Sequence, residues 1–237
     1  TAFLVDGDLL IDAGTGVGEL ELEEMAGIRH IHLSHSHLDH VACLPLFLDS
    51  IFDRITEPVT VHAQPDTLEA LRRHLFNGVL WPDFTELPEP GRPVVRLQAL
   101  EAGASLTLGG RRMEVIPGNH TVPVVGLYLA DETGAIAFSG DCTTNESLWH
   151  GLNARDRLDH LVIEAAFPDE QEEVAAAAKH YIPRWLGADI DKLSHDPVIW
   201  ITHRMPGKEE AILDQCRRAM PDRTVRPLEE ETTLSIT

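Results

Sequence analysis

Between Ser34 and His40 the chain reads SHSHLDH, which places His35, His37, Asp39 and His40 within six residues. Imidazole nitrogens and a carboxylate gathered at one spot are the donor set of a divalent metal site. The cluster follows the apolar run IRHIHL and precedes VACLPLFLDSIF, so it sits where a strand gives way to a helix. Side chains at i and i+2 of a strand share a face, so His35 and His37 are expected on one face, with Asp39 and His40 delivered by the following loop. Four donors this close in sequence do not comfortably enclose an ion by themselves. Three more candidates stand at strand ends: His120 in GNHTVP, Asp141 in SGD, and His203 after PVIWIT. His30 and His32, which alternate with Ile31 and Leu33, read instead as packing or solvent-facing residues.

Such a set needs a scaffold of strands that end near one another. At 237 residues and 43% hydrophobic composition, the chain can bury one substantial core, and a single domain over residues 1–237 is expected. Short apolar runs alternate with helical patterns, and no internal repeat is visible. AFLVDGDLLIDAG reads as two strands about Gly7, IRHIHLS and VTVHA as strands, and SLTLGGRRMEVIPG, VGLYLADETGAIAFSGD and HLVIEAAF as five more. Helices are expected over Leu44 to Phe52, PDTLEALRRHLF, Glu170 to Leu186 and Lys208 to Ala219, with PVIWIT a strand between the last two and Trp81 to Arg92 a loop. Hairpins interrupted by helices in both halves predict an α/β fold, an αββα four-layer sandwich with two mixed sheets face to face and helices outside. Residue 1 already reads as strand, which leaves room for a strand before it.

Lysine and arginine total 19 against 39 aspartates and glutamates, a formal charge of −20 that repels polyanions unless a basic patch is set aside; none is apparent. No nucleic-acid polymer is therefore expected as a partner. Cys43, Cys142 and Cys216 show no CxxC pairing, so neither a disulfide framework nor a thiolate zinc site is suggested, and a cytoplasmic location fits. Cys142 is adjacent to Asp141 and should point to the opposite face and pack inward. No run of about 18 apolar residues exists, so no membrane partner is expected. Phe76 to Glu89, with Trp81 and Phe84, reads either as an apolar lid or homodimer contact, or as a loop packed on its own domain.

HxHxDH followed in order by a His, an Asp in GD and a late His after an apolar strand resembles the metallo-β-lactamase superfamily over nearly the whole chain. The resemblance implies that His35, His37 and His120 hold one metal, that Asp39, His40 and His203 hold the other, and that Asp141 bridges them. It also implies that Asp12, in LLIDAGTG, is the buried aspartate that supports the ligands. His37, where an electron-transferring diiron branch would carry Glu, favours two Zn2+, with Mn2+ as the other divalent candidate. Within the superfamily the second half is similar to class II cyclic-nucleotide phosphodiesterases and, beyond them, to tRNA 3′-processing endonucleases. That similarity implies that Glu164, in IEA, and His180, in AKHYIPRWL, assist at the phosphate. Tyr181-Ile182 and Met205 depart from those families, which tend to carry small or hydroxylic residues and, in the phosphodiesterases, a lysine there.

The expected activity is hydrolysis of a small anionic ester, a phosphodiester such as a 3′,5′-cyclic nucleotide, by a hydroxide that bridges the two metals. Asp39 would orient that water and accept its proton, and His180, kept protonated by Glu164, would protonate the leaving oxygen. Hydrolysis of a lactone or thioester at the same metals is the second expectation, and a tRNA-processing endonuclease or a non-catalytic scaffold the remaining ones.

Overall fold

The computed structural model describes residues 1–230 and 232–234. By its internal packing the chain divides into two compact units, Thr1–Glu101 and Ala102–Thr237. In the first, β1 (Phe3–Val5) and β2 (Leu9–Ile11) form the expected hairpin about Gly7 (φ 75°). They are followed by α1 (Leu22–Gly27), β3 (His30–His32), α2 (Leu38–Val41), α3 (Leu44–Ser50), β4 (Val59–Ala63) and α4 (Pro65–His74). A two-residue ladder, β5 (Pro88–Glu89) with β6 (Arg92–Pro93), interrupts the expected loop, and β7 (Val95–Ala99) completes a sheet of order β1-β2-β3-β4-β7. Except for β1, its strands run parallel.

Alternation fixes the register of this sheet. Leu10, Ile31, Leu33, Val59, Val61 and Ala63 are buried in one cluster with Phe47, Leu48, Leu68 and Leu71 of the helices. Each of these side chains larger than alanine contributes roughly 1.5–3 kcal/mol, and a one-residue slip would turn the whole set to the other face. The residues between them, His30, His32, Thr60 and His62, therefore share the opposite face, with His32 paired to His62 across the strands. Phe76 and Phe84 are buried in the same unit and Trp81 packs against it, so these aromatics fill their own core, while Val79 and Leu80 project into solvent.

His32 and His62 are buried, and burial pushes both imidazoles down to about 4, with the charges of His30 and His32 adding to the effect at His62. His30 Nδ1 lies 3.1 Å from His62 Nε2, and neither nitrogen of His32 has a hydrogen-bond partner. A base whose folded pKa lies below its free value of 6.5 binds fewer protons when folded, so its stability contribution is full above pH 6.5 and is lost as pH falls towards 4. A shift of that size corresponds to about 3 kcal/mol for one site, and less than twice that for a repelling pair. We predict that His62→Gln loses less stability than the wild type between pH 7 and 4.5 in urea melts; parallel losses would show that His62 takes up its proton as readily in the fold as in the unfolded chain.

The second unit carries β8 (Ser105–Leu108), β9 (Arg111–Pro117), β10 (Val125–Ala130), β11 (Ala135–Phe138), α5 (Ser147–Asn153), β12 (His160–Glu164), α6 (Glu172–Ala178), α7 (Pro183–Ile190), β13 (Val198–Thr202), α8 (Glu209–Ala219) and β14 (Val225–Pro227). The sheet order is β14-β13-β12-β11-β10-β9-β8; β11 to β14 are parallel, and β8, β9, β10 and β11 pair antiparallel in turn. The apolar runs of β12 and β13 suit parallel strands covered on both faces. Leu161, Ile163, Ile199 and Ile201 pack with Trp149, Tyr181, Leu186, Ile212, Cys142 and Cys216. Cys142 thus lies inward as expected, and Cys43 packs, half-buried, against the first unit's core. The mixed α/β class is as the sequence predicts. No helix among the described residues is long and apolar enough to cross a membrane.

Candidate active site

In the first unit, strand β3 stops at His32, so His35 and His37 sit in the loop after it rather than on the strand, and Asp39 and His40 belong to the short helix α2. The expected strand placement fails because the chain must leave the sheet at Ser34 to meet Asp12. That residue turns the chain after β2 in the left-handed region (φ 58°), which aspartate tolerates better than most residues. Its N–H donates to the His32 carbonyl at 2.8 Å, and that of Ala13 to the His40 carbonyl at 2.7 Å. A Cβ on Gly14 would lie 2.0 Å from the Asp39 carbonyl oxygen, so only glycine allows this approach.

The Asp12 carboxylate is the hub of the loop. Oδ1 accepts from the Ser34 N–H at 2.7 Å; Oδ2 accepts from the Ser34 hydroxyl at 2.9 Å and from His40 Nδ1 at 2.7 Å. Burial works against its ionisation, but the His40 hydrogen bond and charge, with the Ser34 N–H, hold it below the usual carboxylate value. Ser34 Oγ also stands 3.0 Å from His35 Nδ1. The His35 ring lies 4.7 Å from that of His37 and 4.2 Å from that of His40, and Asp39 Oδ2 is 3.5 Å from His40 Nε2. The fold therefore brings together all four donors predicted in this stretch.

In the second unit the candidates share the carboxyl ends of strands that run the same way. Asp141 follows β11, Glu164 ends β12 and His203 follows β13, all parallel; β9, two antiparallel steps from β11, points the same way and delivers His120. The space beyond the carboxyl ends of such strands is where α/β sheets gather ligands. Asp141 is buried, and its Oδ2 is 3.4 Å from His203 Nε2. Donor atoms of Asp141, Glu164 and His180 all lie within 4.8 Å of one another. His203 takes a left-handed conformation (φ 57°), and His120 Nδ1 is 3.0 Å from the Lys179 carbonyl.

His180 is not on a helix. The single helix expected over Glu170 to Leu186 is two, α6 and α7, broken where Lys179 turns left-handed (φ 54°). The His180 N–H closes α6 by donating to Ala175 O at 3.0 Å, a Schellman ending, and Pro183 opens the first turn of α7. The next residue, Tyr181, is buried and donates to buried Asp189 at 2.7 Å, which pins the segment to the core. His180 Nδ1 then meets Glu164 Oε1 at 2.7 Å. The same oxygen accepts from the Cys142 N–H and the other from the Ala166 N–H, each at 2.9 Å. Partial burial would lower the His180 imidazole, but the Glu164 hydrogen bond and charge more than offset it and raise the pKa above the usual histidine value.

The sequence matches the Beta-lactamase superfamily domain over residues 8–224. The chain belongs to the metallo-β-lactamase superfamily. It is 28% identical over 181 residues to a Yersinia pestis protein named Probable 3′,5′-cyclic-nucleotide phosphodiesterase, covering 70% of this chain and 51% of that protein. Ribonuclease Z of Bradyrhizobium diazoefficiens is 33% identical over 116 residues, 47% of this chain and 36% of the relative. The chain thus spans about half the length, or less, of these relatives. Unliganded yeast PDE1 superposes with a TM-score of 0.77 at 17% identity, over 94% of this chain and 88% of its own. The short form of human tRNase Z gives 0.70 at 18%, over 100% and 91%. At those identities the structures establish the fold.

Members of this superfamily are metal-dependent, and the donors here have the chemistry for it. His35, His40 and His120 each have Nδ1 beside an oxygen, of Ser34, Asp12 and Lys179 respectively. An Nδ1–H donated in this way fixes the tautomer whose Nε2 carries the lone pair, the arrangement that orients metal-binding histidines. Ser34 and Lys179, which meet candidate ligands at Nδ1, are contacts that motif reading missed. Ser34 opens the SHSHLDH string and could have been suspected from its place beside His35; Lys179 acts through a carbonyl that no residue type announces.

Proposed function

We propose that the protein is a binuclear metal-dependent phosphodiesterase acting on a small phosphodiester such as a 3′,5′-cyclic nucleotide. His35, His37 and His120 would hold one Zn2+, Asp39, His40 and His203 the other, and Asp141 both. Two such ions supply a nucleophilic water at neutral pH and stabilise the charge that develops on the phosphoryl oxygens. The protein's own groups divide the remaining work. Asp39 orients the attacking water and takes its proton. His180, anchored at Nδ1 by Glu164, presents Nε2 to the leaving oxygen and protonates it. The observation that carries the reading is the pairing of partly buried His180 with buried Glu164 beside Asp141, together with the similarity to a cyclic-nucleotide phosphodiesterase. The formal charge of −20 favours a small anion over an RNA polymer.

Metal analysis combined with a panel of phosphomonoesters, phosphodiesters, lactones, thioesters and a precursor tRNA tests it. The expected result is close to two metal equivalents, because seven ligands exceed the four that one tetrahedral zinc uses, with turnover greatest on a small diester. A single equivalent after saturation would end the binuclear assignment, and lactone hydrolysis without diester hydrolysis would move the function to the carboxyl-ester class.

A further inference from the structure

Lys179 differs in its partners from several cations of the second unit. Arg184, Lys192, Arg204 and Arg223 are paired with Glu172, Glu146, Glu229 and Asp196, at 2.7 to 3.1 Å. The Lys179 ammonium instead lies against two neutral oxygens, the His120 carbonyl at 3.1 Å and the Asn119 side-chain oxygen at 3.5 Å. An ammonium has three donors, so one remains after these contacts. Its charge is not cancelled by a carboxylate at either contact.

Its position is defined from both ends. Lys179 immediately precedes His180, and its own carbonyl meets His120 Nδ1, so one residue clasps a metal-ligand candidate through its backbone and brings a positive charge beside it. The His120 and His180 rings are 4.8 Å apart. Lysine is also an awkward choice for this backbone. At φ 54° a residue with a Cβ costs on the order of 1–2 kcal/mol, and glycine would occupy the same helix ending without strain. In the segment after β13 the Arg204 guanidinium is bound to Glu229, Met205 is packed against the core, and Lys208 stands at the start of α8, where its charge acts on Glu170.

We infer that Lys179 is the anion-recognition residue of this site, its ammonium receiving a phosphoryl oxygen of the substrate alongside the metals. In a protein with a formal charge of −20, such a local cation is what admits a small anion that the overall field repels. The inference rests on the phosphodiester reading for its substrate class, but not for its test.

The probe is inorganic phosphate, titrated calorimetrically into metal-loaded wild type, Lys179→Gly, Lys179→Met and Lys179→Arg, with affinity normalised to metal content. Lys179→Gly keeps the carbonyl that holds His120 and relieves the left-handed strain, so it should fold and melt no lower than the wild type. We expect phosphate affinity to fall about tenfold in the Gly and Met variants and to recover partly in Arg. With a diester substrate, KM should rise in step while kcat changes little. Equal phosphate affinity in all four proteins would overturn the inference, even if melting points differed, because a role confined to ending α6 changes stability alone. A wild type that binds phosphate through Lys179 yet cleaves no diester would keep the inference and sink the proposed function.

Discussion

Replacing His180 with alanine should leave metal content intact and cut turnover of a diester with an alkoxide leaving group by about 10² to 10⁴, the range of a positioned general acid. A nitrophenyl diester should suffer far less, because its phenolate leaves without a proton. The structural basis is the Glu164 carboxylate, fixed by two backbone N–H groups and bonded to His180 Nδ1 at 2.7 Å, which raises the imidazole pKa and orients Nε2. Glu164→Gln is the less clean variant. Both oxygens accept from backbone donors, so an amide NH2 in either place sets two donors face to face, and about 1–3 kcal/mol of stability should be lost besides activity. Loss of a metal equivalent in His180→Ala would instead make His180 a ligand, and equal slowing of both diesters would make it a phosphate binder.

How far this site could be read from the chain depends on what each feature needed. SHSHLDH and the strand-end His120, Asp141 and His203 could be picked out as candidates because metal chemistry requires particular residue types, and those types are scarce enough to stand out. Their local conformation was not. The i, i+2 rule applies on a strand, but β3 ends at His32, three residues before His35, because Ser34 is drawn to a carboxylate 22 residues earlier. Such a pull appears in no window of local sequence. The stretch EEVAAAAKHYIPRWL reads as continuous helix, since alanine and glutamate favour it and Pro183 falls where a new helix could start or an old one stop. Lys179 in a left-handed turn decides the matter, and lysine gives no signal for that conformation. Strand β7 was missed for a similar reason: VRLQA alternates weakly beside prolines, and it becomes a strand by pairing with β4.

Removing Asp12 should be the most damaging single change in the first unit. Asp12→Ala leaves the Ser34 N–H, the Ser34 hydroxyl and His40 Nδ1 without their acceptor in a buried setting, and puts alanine at φ 58°. About 3–5 kcal/mol of stability should go, enough to threaten folding, so the decisive variant is the isosteric Asp12→Asn. Asparagine keeps an oxygen for the Ser34 N–H, but its NH2 then faces His40 and donates to Nδ1. That reverses the imidazole: the proton moves to Nε2, and the lone pair a metal needs is lost. Asp12→Asn should therefore lose only about 1 kcal/mol in urea melts while metal affinity falls 10- to 100-fold, the cost typical of removing a partner that orients a ligand. The loss should fall on the ion assigned to His40, so titration should show one weakened equivalent and one little changed. Wild-type affinity for both ions in Asp12→Asn would mean that the carboxylate braces the loop without setting the His40 tautomer.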